Sequence, residues 1–339
     1  MKMNEQSYLA DWRSVLDRRA EEVVGRCCKV EGVKVLILGG SLGGGEPWPL
    51  SDIDIIPIYE DGYEHAANET IRELRVRLIE GWVQEGWRTA LDMGKLYFTA
   101  GLASDLVRAE RSAFESMLDL PSVYYSLDKA YGGRAAYDPD GIGGELVRWF
   151  NRNRFEDGIV KLRMNKLRSR FLETEAQLSE AIAGGKGLEA SYTLYEAVEH
   201  LRTYLLESWR ERDNSFARLG TRFDRLAAAK RCGHLAERFN ALKSLDDLAV
   251  IRRIECAPDW IRERHRLSYG CRRSVDENVI EVEDARDVLR VFARYEMRSF
   301  LDQQAASYPE WLGVVTQAEE LRRRQRQLRE IGHEVLEMN

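Results

Sequence analysis

The stretch from Leu36 to Ile58 restricts the folds open to this chain more than any other: Leu-Ile-Leu-Gly-Gly-Ser-Leu-Gly-Gly-Gly-Glu-Pro-Trp-Pro-Leu-Ser-Asp-Ile-Asp-Ile-Ile-Pro-Ile. An apolar run enters a glycine-rich turn carrying Ser41, and the chain returns as a strand with aspartates at positions 52 and 54. Side chains alternate faces along a strand, so Asp52 and Asp54 share a face while Ile53 and Ile55 enter the opposite layer. Carboxylates held that close repel one another unless a cation lies between them, and hard oxygen ligands of this kind suit Mg²⁺. Glycines let a backbone lie close against phosphates, and the N–H groups of such a turn favour anions. A phosphate cradle beside a metal-binding strand implies phosphoryl or nucleotidyl transfer.

Other glycine motifs do not fit. A Walker A loop ends in Gly-Lys-Ser/Thr, whereas Gly45 is followed by Glu46 and Pro47. A dinucleotide fingerprint built on Gly43 and Gly45 would place its last glycine at Trp48, and Pro47 and Pro49 oppose a helix there.

The order apolar strand, Gly40-Ser41, a spacer of about ten residues and Asp52-Ile53-Asp54 resembles the DNA-polymerase-β-like nucleotidyltransferase superfamily. The fuller wording of the turn is most similar to the PII-uridylyltransferase and antibiotic-nucleotidyltransferase branches. Many relatives carry Arg in the turn where this chain has Gly44. The resemblance implies an α+β fold: a small mixed β-sheet nucleotidyltransferase core with flanking helices, then an all-α helical-bundle domain. It implies Mg²⁺ (or Mn²⁺) at Asp52 and Asp54, with an NTP donor, ATP first, held at Gly40, Ser41 and Gly43. It also implies a third carboxylate on a later strand, completing the metal site and activating the attacking hydroxyl. Asp92 is the candidate, against the plain reading of a surface aspartate beside a glycine turn. Glu196 and Glu199, three apart on one helix face, are alternatives for the base. Lys95 either contacts a phosphate or edges the strand.

The chain of 339 residues has room for two domains, each with its own core. A net charge of −6 argues against a protein that coats nucleic acid. No apolar stretch reaches membrane-spanning length, and the N-terminus is polar from the start, so the expected setting is cytoplasmic with no membrane partner. Five cysteines without metal spacing suit free thiols in a reducing compartment.

Periodicity predicts helices over 8–28, 68–86 and 104–118, the last capped by Ser104, strands over 33–38 and 52–59, and extended structure over 89–99, as two short strands if broken at Gly94. The phrase Tyr137-Asp-Pro-Asp-Gly141 is a turn by its chemistry, and relatives often close the catalytic domain with similar wording. It places the boundary near residue 142, with a catalytic domain over 1–142 and a helical acceptor-binding domain over 143–339. Helices are expected over 159–183 and 188–209, separated by Gly184-Gly-Lys-Gly187, then over 220–242, 244–254, 284–304 and 309–336.

The resulting expectation is transfer of NMP from an NTP to a hydroxyl of a bound acceptor. Asp52, Asp54, Glu46 and Glu60 as cleft acids would favour a cationic small molecule of the aminoglycoside kind. Modification of a protein or tRNA is the alternative enzyme reading, and a catalytically degenerate nucleotide-binding protein the reading from another class.

Overall fold

The computed structural model describes residues 3–338 apart from 94–96, 119, 213–217 and 306. Its packing divides the chain into two compact units, Met1–Ile159 and Val160–Asn339.

The first unit is α+β. Helix α1 (Glu5–Cys27) starts at Asn4, whose side chain accepts from the Ser7 amide while Ser7 Oγ accepts from the Asn4 amide. Strand β1 (Val33–Gly39), the short turn α2 (Gly40–Gly43) and strand β2 (Ile53–Tyr59) follow. Helix α3 (Glu64–Glu85) ends on Gly86, whose φ of 104° closes the helix in the left-handed region. Beyond it lie strand β3 (Leu91–Asp92), helices α4 (Ala100–Arg108), α5 (Glu110–Met117) and α6 (Pro121–Asp128), strand β4 (Arg134–Tyr137) and helix α7 (Ile142–Asn153).

The four strands form one mixed sheet in the order β3-β2-β1-β4, antiparallel except for β2 with β3. Every residue of β2 is buried, because helices cover both faces of the sheet. Leu36, Leu38, Ile53 and Ile55 pack against Val23 of α1 and Ile71, Leu78 and Trp82 of α3. On the other face α7 lies across β1 and β4, and Val35 touches Gly143 closely enough to exclude a Cβ there. Pro57 sits in this central strand without breaking a ladder. The amides of Ile53 and Tyr59 point away from β1, to Ala90 and Phe98, and by the period of two so would that of residue 57.

Several elements depart from their sequence expectations. Ser104 is not a helix cap: α4 begins earlier and is capped by Thr99, whose Oγ1 accepts from the Leu102 amide. Of the extended span expected over 89–99, the described residues pair at Leu91–Asp92 and in a bridge at Thr99, while the expected break at Gly94 lies outside the described residues. The phrase expected to mark only a boundary ends β4 at Tyr137 and then caps α7, where the Asp138 carboxylate accepts from the amides of Gly143 and Gly144. Because α7 packs on β1, β4 and α4, the division falls at Ile159/Val160 and not near residue 142.

The second unit is helical. Helices α8 (Asp157–Ala183) and α9 (Gly187–Ser208) flank the expected glycine turn. The span 220–242 holds two helices, α10 (Leu219–Ala229) and α11 (Gly233–Leu242), broken where Arg231 adopts a φ of 62°. Next come α12 (Asp247–Glu255), α13 (Asp259–Arg273) and α14 (Glu281–Asp302), then a 3-10 turn at Glu310–Leu312 and α15 (Ala318–Glu337). Its apolar core has two parts, one among α8–α11 and α15, the other mainly among α12–α14 and the 3-10 turn. Buried charge also packs this unit. Asp287 accepts from Arg272, from Arg290 and from both the amide and hydroxyl of Thr221.

Candidate functional site

The end of the sheet gathers the sequence-singled residues. Asp54 stands in register between Gly39 of β1 and Asp92 of β3, so three adjacent strands meet at one level. Short as it is, β3 is pinned from α3, where Arg75 Nε donates to the Leu91 carbonyl at 2.6 Å. The Asp54 and Asp92 carboxylates converge on a cation, the ammonium of Lys129, which lies 2.5 Å from Asp54 Oδ1 and 2.5 Å from Asp92 Oδ2. Burial opposes the charged lysine, but the two carboxylates outweigh it and hold its pKa above the ordinary lysine value.

Asp52 lies beside this pair without a share in the salt bridges. Burial first, and the Asp54 charge next, push its carboxyl up to about 6, against the opposing attraction of Lys129. Asp92 adds a further push in the same direction. An acid raised in this way between acids and beside a lysine is typical of a functional site, where a ligand is expected to supply the missing charge.

The glycines serve this arrangement through the space they leave. Gly40 adopts a φ of 60°, and a Cβ there would overlap Asp54 Oδ2. Its amide donates to the Lys129 carbonyl at 2.8 Å and so faces the protein, contrary to the expected phosphate contact from that N–H. A Cβ on Gly39 would overlap the Lys129 carbonyl oxygen, and one on Gly43 would overlap the Leu38 carbonyl oxygen. The turn is thus folded tightly onto the end of β1 and onto the segment after α6. Ser41 Oγ donates to Ser51 Oγ at 2.9 Å, and Ser51 Oγ accepts from the Trp48 amide, which ties the two ends of the turn together.

Hard carboxylate oxygens converging on a cation fit a divalent metal ion. Among the described residues no group of three or more His, Cys, Asp or Glu side chains is placed to hold a metal ion. Asp54 and Asp92 supply a pair closed on the lysine, with Asp52 as the third carboxylate alongside.

Other expected contributors fall elsewhere. Lys95 lies outside the described residues. Glu60 follows the far end of β2, about 20 Å along the strand from Asp54 at the usual rise, and pairs with Lys34. The acids near Asp54 therefore do not include it, and the electrostatic case for a cationic acceptor narrows to Asp52, Asp54, Asp92 and the exposed Glu46. Glu196 takes a two-point grip from Arg294. Glu199 is largely enclosed, its side chain 12% exposed; although desolvation raises its pKa, Arg202, Lys243 and Arg290 hold it well below the usual carboxylate range. Both carboxylates are committed to packing and are poorly placed to serve as a base.

Lys129 is the residue that sequence reasoning missed. It stands 75 positions from Asp54, in a segment whose only sequence signal is a lysine between a helix end and the Gly132-Gly133 turn. Compared with known proteins, the chain matches no family model, no curated protein and no solved structure.

Proposed function

We propose that the first unit is a metal-dependent nucleotidyltransferase of the DNA-polymerase-β-like kind, moving NMP from an NTP to a hydroxyl of an acceptor. The observation carrying this reading is the convergence of Asp54 and Asp92, partners in register on adjacent strands, on one cation with Asp52 beside them. Mg²⁺ on these carboxylates would neutralise charge developing on the α-phosphate and the departing pyrophosphate. The protein's part is to hold hard oxygen donors at a fixed spacing, with the glycine turn and the Ser41–Ser51 pair shaping the adjoining wall. Asp92, the acid nearest Asp54 across the strands, is the candidate to accept the hydroxyl proton. The helical second unit is the candidate for acceptor recognition, and the acceptor class is a hydroxyl-bearing small molecule.

The test is pyrophosphate release from each of the four NTPs with Mg²⁺, against a panel of aminoglycosides, tRNA and the protein itself. Asp54→Asn should lower turnover about 10³-fold, the equivalent of losing several kcal/mol of charge stabilisation, with circular dichroism unchanged. Label that migrates as a small conjugate supports the acceptor class, whereas label on tRNA or protein transfers the reading to that acceptor. Full turnover in Asp54→Asn, or no pyrophosphate release with any NTP, refutes the assignment.

A further inference from the structure

The position of Lys129 has a consequence for the order in which this site assembles. Its backbone is locked: the carbonyl accepts from Gly40, and the lack of a Cβ on Gly39 lets the two segments touch. Its side chain is not locked to the same degree. Residues 129–133 form tight turns, with Tyr131 and Gly133 amides returning to Asp128 and Ala130, and the lysine side chain leaves them 37% exposed. The carboxylates it grips are more enclosed, at 7% exposure for Asp54 and 19% for Asp92. A four-carbon stem anchored at the turn can therefore withdraw its ammonium toward solvent without disturbing the strands.

An ammonium and a divalent ion cannot both occupy the gap between Asp54 Oδ1 and Asp92 Oδ2. In the arrangement seen, the lysine neutralises part of the carboxylate charge, and a metal must displace it. Displacement is favoured when a second anion waits outside to receive the ammonium, and a triphosphate is such an anion.

We propose that Lys129 is a resident counter-ion that keeps the divalent metal out of the Asp54–Asp92 gap until a metal-bound nucleoside triphosphate arrives, when its ammonium moves from the carboxylates to the phosphates. This rests on the nucleotidyl-transfer reading of the same site, and makes metal and nucleotide binding one coupled event. Lys129 is in this role a positioning residue for the donor.

Mn²⁺ binding followed by electron paramagnetic resonance tests it without turnover. With no nucleotide, the wild-type protein should bind Mn²⁺ weakly, and Lys129→Met about ten-fold or more tightly. Lys129→Gln, which keeps neutral hydrogen bonding to both carboxylates, should show the same direction and serves if the Met variant misfolds. An α,β-methylene NTP analogue should close the gap by tightening Mn²⁺ on the wild type, while the analogue itself binds the Lys129 variants more weakly. Equal Mn²⁺ affinity in wild type and both variants without nucleotide overturns the counter-ion role and leaves the metal reading standing. No Mn²⁺ binding by any form, with or without the analogue, overturns both.

Discussion

Asp52 should cost the fold stability, and its removal should return that stability. The carboxyl has an ordinary value of 3.8, taken here for the unfolded chain, and about 6 in the folded protein. Below the lower value it is protonated in both states and contributes no penalty. Between the two the unfolded chain has released its proton while the folded chain still holds it, so stability falls as pH rises. Above about 6 both states are ionised and the penalty is constant. At about 1.4 kcal/mol for each tenfold change in proton affinity, the full penalty is on the order of 3 kcal/mol, and at pH 5 roughly half of it.

Asp52→Asn keeps the shape and removes the charge, so it should stabilise the first unit by on the order of 3 kcal/mol at pH 7 and roughly half as much at pH 5, while abolishing turnover. Hydrogen exchange of peptides covering β1 and β2, followed against urea in metal-free buffer, reports on this unit separately from the helical one. A variant no more stable than wild type at pH 7, or a gain that does not grow between pH 5 and pH 7, would refute the electrostatic account of the site. The stabilisation should shrink on adding metal and nucleotide to the wild type, since ligand binding supplies the missing positive charge.

Gly40→Ala combines a left-handed backbone, costing about 1–2 kcal/mol for an L-residue, with a methyl that overlaps Asp54 Oδ2. It should lower the first unit's urea midpoint and weaken Mn²⁺ binding about ten-fold in the presence of nucleotide; unchanged metal binding would show that Asp54 has room to move. In the helical unit, Asp287→Ala takes the ion-pair partner from the buried Arg290 and one of two carboxylates from Arg272, and should cost about 3–5 kcal/mol, read as a lower calorimetric midpoint for that unit.

How far each element could be read from sequence follows from what holds it. Strands β1 and β2 were legible because they are covered on both faces and so consist almost wholly of branched apolar residues. Asp52 precedes β2, which starts at Ile53, so the period of two that suggested a shared face with Asp54 does not by itself place it, and its nearness to Asp54 is read from the charge it feels. Helix α13 was not legible. Its buried face is Ile261, His265, Ser268, Cys271 and Arg272, which turns charge and hydroxyls inward and leaves no apolar stripe to count. The break between α4 and α5 falls at Ala109, an αR residue with no glycine or proline to announce it. Asp92 could be named as a candidate, but its placement beside Asp54 depends on a two-residue parallel pairing, and the role of Lys129 depends on contacts 37 and 75 positions away. Such non-local contacts carry no periodic signal.

Buried carboxylates occur in both units, and comparing them separates packing from function. Glu199 is enclosed by Arg202, Lys243 and Arg290, and the surplus of positive neighbours drives its pKa down. Lys243 in turn is pulled down to about 8, first by its burial, with Glu199 opposing. The Glu199 carboxylate is therefore already matched by cations of the fold and needs none from a ligand. Asp284 is the harder case, since burial raises its pKa as it raises that of Asp52. It shares Arg272 with Asp287, bonds Ser268, and is wholly sealed from solvent. A raised carboxyl sealed inside a bundle can be relieved only by a proton. Asp52 is partly exposed, lies beside Asp54 and Asp92, and these acids share the Lys129 ammonium, itself partly open to solvent. Its relief can come from an incoming cation. The unmet charge together with a route to it, and not the pKa shift alone, favours the start of β2 over the helical unit as the candidate site.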